Sequence, residues 1–91
     1  MSAASELAAD GYLSKARHIV KDYVNSKQDP TALVHINDVY IVWCSKTLQN
    51  WKCLVGTRLK DGLYYEVTHN GDVHETYLDV YAKLHNVVIS D

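Results

Sequence analysis

Apolar residues fall at helical spacing early in the chain and alternate after it. Tyr12, Ala16, Ile19 and Tyr23 recur at i, i+4, i+7 and i+11, and Leu13, Val20 and Val24 widen the stripe. Lys15, Arg17, Lys21 and Asp22 fall largely on the other side. That spacing predicts a helix over about Gly11–Asn25, laid on a core along one face. Asp10 is a suitable N-cap for it, and Ser5–Ala9 either add a turn or fray. Ser26–Pro30 reads as a loop, because Pro30 disfavours helix at Asp29. Thr31–Ile36 reads equally as a short edge strand or an irregular crossing.

From Asp38 the period drops to two. Val39, Ile41 and Trp43 alternate with Tyr40, Val42 and Cys44, apolar on both sides as in a central strand. Trp51–Arg58 reads as the next strand. A turn centred between Leu48 and Gln49 sets Trp43 opposite Leu54, Val42 opposite Val55 and Cys44 opposite Cys53. Gly62–Thr68 alternates Leu63, Tyr65 and Val67 with Tyr64, Glu66 and Thr68, a half-buried pattern. Asn70-Gly71 is a type I′ hairpin dipeptide, so a fourth strand is expected over Val73–Tyr77, with Val67 opposite His74 or Val73. Tyr77, Tyr81 and Leu84 then return to helical spacing and predict a short helix over Thr76–His85. Val87-Val88-Ile89 predicts a final strand.

The expected fold class is α+β in one domain over residues 1–91: an N-terminal helix, an antiparallel meander of three or four strands, a short C-terminal helix and a last strand. The expected core is Trp43, Leu54, Ile41, Val67, Tyr65, Ile19, Tyr23 and Tyr81.

Composition narrows the function. With 47% apolar and 22% charged residues in 91, the chain has ordinary globular usage. A net charge of −2, with scattered basic residues, gives no general attraction to nucleic acid or to an anionic membrane. No apolar run approaches the roughly 20 residues of a membrane span. Met1–Asp10 holds Glu6 and Asp10 and no basic residue, so it does not read as a secretory signal. Cys44 and Cys53 are too few for a secreted disulfide scaffold, so a cytoplasmic location with both as thiols is expected. Opposed strand β-carbons lie about 4.5–5.5 Å apart, wider than a relaxed bridge wants.

Catalytic and cofactor chemistry finds no foothold. Gly11, Gly56, Gly62 and Gly71 are isolated, whereas a phosphate loop needs glycines clustered at a helix start. Zinc wants four ligands at close spacing, and nothing in the sequence joins Cys44 and Cys53 to His69 and His74. His69, Asp72, His74 and Glu75 read as an adventitious metal site or, as readily, as a solvated hairpin tip. No catalytic residue, metal or cofactor is therefore assigned, and the chain reads as non-enzymatic. An enzyme whose residues meet only in space stays open.

The hairpin Lys46–Lys52 is the most suggestive surface. Lys46, Gln49, Asn50, Trp51 and Lys52, with Tyr64 on the following strand, form the candidate binding set. Aromatic and cationic groups on a strand pair can grip a protein or stack on single-stranded nucleic acid. Against both stands the plain alternative that Trp51 folds onto the sheet. Seven Tyr, two Trp and no Phe suit half-exposed contact positions, as they also suit strands.

Three stretches carry a likeness: Val-Trp-Cys-Ser-Lys-Thr-Leu-Gln-Asn-Trp-Lys, Asp-Gly-Leu-Tyr-Tyr-Glu-Val-Thr-His-Asn-Gly-Asp and Glu-Thr-Tyr-Leu-Asp-Val-Tyr, within residues 42–81. Their order and spacing resemble a family of small proteins encoded by bacteriophages and prophages, with no assigned activity. The chain departs from that pattern at Cys44, Cys53 and His69. The resemblance implies a phage-type accessory product in a bacterial cytoplasm. The expected function is a protein-interaction module whose partner is a bacterial or phage protein, or a second copy in a homodimer. Single-stranded nucleic acid bound by the 46–52 hairpin is the alternative.

Overall fold

Helix α1 spans Ser2–Ser26 and buries Ala16, Val20 and Val24, a strict i, i+4, i+8 line. The computed structural model describes residues 2–90, and for residues 2–10 the backbone alone. The helix starts earlier than its apolar stripe, so Asp10 lies inside it and is not its N-cap. Residues 31–35 form no strand. Side chains of the helix fix this crossing in place. The Asn25 side-chain amide donates to the Val34 carbonyl at 3.0 Å and its oxygen accepts from the Val34 N–H at 2.8 Å. Arg17 donates to the carbonyls of Ile36 at 2.8 Å and Val39 at 2.9 Å. One 3-10 turn, Ile36–Asp38, then leads into the sheet.

Four strands follow: β1 Val39–Thr47, β2 Asn50–Thr57, β3 Leu63–Asn70 and β4 Glu75–Ala82. They pair antiparallel in the order β1-β2-β3-β4, a plain meander. The helix lies across β1, β2 and β3. On the covered face Val39, Trp51, Cys53, Val55, Tyr65 and Val67 are buried with the helix line. Tyr12 meets Trp51 at 5.6 Å and Tyr23 meets Tyr65 edge-on at 6.1 Å between ring centroids.

The register of β1 with β2 sets Cys44 opposite Cys53 and Trp43 opposite Leu54, as expected, but Ile41 rather than Val42 faces Val55. A bulge between Ile41 and Trp43 inserts the extra residue. Because side chains alternate with a period of two, one added residue sends everything beyond it to the opposite face. Trp43 therefore lies on the uncovered face and is 44% exposed, which overturns its place in the expected core. Leu54 shares that face and is half-buried. Tyr81 is exposed. Tyr65 and Val67 are buried as expected, Ile19 and Ile41 pack at the margin, and Tyr23 is exposed against its expected place in the core.

Four further expectations fail: the C-terminal helix, the pairing of Val67, the last strand and the free thiols. The expected fourth strand forms, but it runs over Glu75–Ala82 and takes in residues expected as helix, with every residue of β3 paired to it, from Leu63 opposite Ala82 to Asn70 opposite Glu75. Val67 thus faces Leu78 rather than His74 or Val73. The loop is Gly71–His74, with the positive φ of 55° at His74. Asn70 serves the turn through its side chain, which accepts the Asp72 N–H at 3.0 Å. Beyond Ala82 no second helix forms, and residues 83–90 take no regular secondary structure, so the expected last strand is absent. The cysteines are joined as a disulfide, not held as thiols. Their α-carbons are only 4.2 Å apart, the close approach of a non-hydrogen-bonded antiparallel pair, which brings the sulfurs within bonding reach.

Candidate interaction face of the sheet

Alternation and the bulge together decide what the uncovered face displays. Tyr40 and Trp43 come from β1, Leu54 from β2, Tyr64 from β3, and Tyr77 and Tyr81 from β4. Strand pairing sets Trp43 beside Leu54 and Tyr64 beside Tyr81. Tyr40 lies over Gly56, where a β-carbon would come within 2.6 Å of its ring. No element covers these rings: Tyr40, Tyr77 and Tyr81 are 44%, 47% and 51% exposed. Near the centre, the Lys52 ammonium lies 3.7 Å from Glu66, and the Tyr81 hydroxyl donates to the same carboxylate at 3.3 Å. The negative charge of Glu66 is the main cause that raises the Tyr81 phenol above its ordinary value. Tyr77 donates to Glu75 at 2.5 Å, and that bond raises its phenol likewise. Both phenols act as donors in these bonds.

The candidate residues divide between the two faces. Trp51 points to the helix, is buried, and stacks on His69 at 5.3 Å between centroids. Lys52 and Tyr64 lie on the uncovered face. Lys46 and Gln49 are exposed at the turn, where the Lys46 ammonium donates to the Leu48 carbonyl. Asn50 and Gln49 instead join the two hairpin tips. The Asn50 side chain accepts from the Gly71 N–H at 2.8 Å, and Gln49 donates to Asp72. A shallow groove of about 300 Å³ runs along the hairpin, lined among others by Trp43, Ser45, Thr47, Lys52 and Thr68. Sequence reasoning missed Trp43, Tyr40 and Tyr81 as surface groups. The bulge that exposes Trp43 leaves no mark in the alternation of the residues around it.

Among the described residues no three of His, Cys, Asp and Glu gather closely enough to hold a metal ion. His69 instead pairs with the Thr76 hydroxyl at 2.8 Å. No helix among them is long and apolar enough to cross a membrane.

Residues 13–91 match the family described as "Family of unknown function (DUF6275)". The chain belongs to the DUF6275 family. The DUF6275 match takes in the core line of the helix, all four strands and the C-terminal segment after β4. It leaves out residues 2–12 of the helix. No curated protein and no solved structure matches the chain.

Proposed function

We propose that this DUF6275 protein is a non-enzymatic interaction module whose uncovered sheet face binds another protein. The observation that supports this reading is the ring of exposed aromatics, Tyr40, Trp43, Tyr77 and Tyr81, around a charged centre on a rigid four-stranded sheet. Tyr and Trp carry large contact area with little rotamer freedom to lose, and interface hot spots are rich in them. The Lys52–Glu66 pair supplies the polar component such contacts need for orientation.

A phage or prophage origin and a bacterial cytoplasm belong to the same proposal. They rest on the likeness of residues 42–81 to phage-encoded products. The joined cysteines pull the other way, since disulfides persist in oxidising compartments. Alkylation of the chain inside intact cells, read by mass, decides where it works.

The binding reading is tested by capture from host cells with the wild type, Trp43→Ala and Tyr81→Ala in parallel. A partner retained by the wild type and lost by both variants supports it; equal capture by all three overturns it. Repeating the wash at rising salt tests the nucleic-acid alternative, because a phosphate-dominated contact weakens steeply with salt.

A further inference from the structure

The segment after β4 has no regular secondary structure, and its apolar side chains are bare. Leu84, Val87, Val88 and Ile89 are 83%, 74%, 87% and 82% exposed. Val87, Val88 and Ile89 are β-branched, the residue type that packs best on a pleated sheet. Being consecutive, they place apolar groups on both sides of any strand they form. The last backbone bond anchoring this arm runs from the Lys83 N–H to the Gly62 carbonyl at 2.7 Å.

The two edges of the sheet differ in how they are protected. Edge strands present unpaired N–H and C=O groups and are normally blunted by bulges, lysines or prolines. Strand β1 carries the Ile41–Trp43 bulge and Lys46, and Arg17 occupies its first carbonyl. Strand β4 has no bulge, lysine or proline, and its charges are the two carboxylates Glu75 and Asp79. It is eight residues long and regular, and the helix lies mainly across β1 to β3, with Leu78 alone of β4 packed on the core. Val80, on its helix-side face, is 41% exposed.

The molecule also exposes more surface than its mass explains. A folded monomer of 10.3 kDa shows about 5,300 Å², whereas this chain shows 6591 Å². Its radius of gyration is 15.0 Å, against about 12 Å for a compact chain of this length. The bare arm contributes to that surplus.

We infer that the chain forms a two-fold homodimer in which the arm Leu84–Ile89 of each copy adds as a fifth strand to the β4 edge of the other. Arm and open edge are both on this chain, so one two-fold axis satisfies both at once, as an isologous contact requires. Strand addition of this kind pairs the idle backbone groups of β4 with those of the arm. It also places the apolar side chains of the arm beside Leu78, Val80 and Tyr77. This names a second copy as partner and deepens the interaction reading above, but through a different surface.

The test is the mass of the full chain in solution, by sedimentation at micromolar concentration, for the wild type, Val88→Asp and Trp43→Ala. The arm is solvent-exposed in the single chain, so Val88→Asp leaves the fold intact, and an unchanged circular dichroism spectrum verifies this. The expected result is a dimer for the wild type and for Trp43→Ala, and a monomer for Val88→Asp. In the wild type, amide exchange over residues 86–89 is slowed at least tenfold relative to Val88→Asp. A monomeric wild type overturns the inference, and so does a Val88→Asp dimer. A dimer lost only in Trp43→Ala overturns it as well, by moving the contact to the aromatic face.

Discussion

Trp43 and Trp51 come from neighbouring strands and meet opposite environments. Trp51 is 7% exposed, wedged between Tyr12 and His69, whereas Trp43 stands in solvent on the far side. Truncating a buried Trp removes its transfer energy and leaves a cavity, a loss of about 3–5 kcal/mol. An exposed one loses little of either. Trp51→Ala should therefore lower stability by about 3–5 kcal/mol, and Trp43→Ala by less than about 1 kcal/mol. Urea unfolding midpoints check both, and a large loss from Trp43→Ala would show that the bulge does not turn it outward. Tyr65 makes a second residue-scale case. Burial is the main cause that holds its phenol above the ordinary 10.0, and the charge of Asp61 adds to it. The folded state thus binds the proton more tightly than the unfolded chain. The stability this contributes is complete below pH 10 and is lost as pH rises through the folded value, at up to about 1.4 kcal/mol per pH unit. Tyr65→Phe keeps the ring and has no phenol to ionise. Between about pH 9 and pH 11 its midpoint should fall less than that of the wild type.

At the scale of elements, local pattern and long-range pairing compete. The helix core line and the first three strands were legible because their apolar periods are long and unbroken. The continuation of the fourth strand past Tyr77 was not. Tyr77, Tyr81 and Leu84 match a helix by spacing, yet Leu78 and Val80 alternate just as well, and β3 offers a complete edge of hydrogen bonds that a helix would leave unpaired. The candidate site was half legible. Lys52 and Tyr64 are on the uncovered face, but the one-residue bulge that separates Trp43 from Trp51 cannot be read from alternation. The hairpin tips give an element-scale prediction. A β-carbon on Gly71 would collide with the Gln49 backbone, whereas one on Gly56 would meet only the Tyr40 ring. A partly exposed ring can swing aside; a turn backbone held by the Asn50 and Asp72 bonds cannot without moving the hairpin. Gly71→Ala should thus cost about 1–3 kcal/mol and Gly56→Ala less. Thermal unfolding of the two variants ranks them, and the reverse order would mean that the tips are not packed together.

For the whole molecule, the single helix decides what is finished and what is not. Lying across β1 to β3, it closes one core and leaves β4, the arm and the opposite face uncovered. A 91-residue chain has little surplus stability to begin with, and a bare strand edge beside an apolar arm adds nothing to it in isolation. Pairing with a second copy would add buried area and backbone hydrogen bonds together. It would also couple folding to association, since whatever binds only the folded chain stabilises it by mass action. Stability should then depend on protein concentration. Each tenfold rise adds about 1.4 kcal/mol per dimer. With an unfolding entropy of about 2.1 cal/mol/K per residue, the melting temperature should climb by roughly 3–4 °C. The Val88→Asp chain, having no partner to gain, should melt at one temperature throughout the same dilution series. Calorimetry over two decades of concentration reads the difference directly. A wild-type midpoint that does not move would mean that the arm and the β4 edge stay bare in solution.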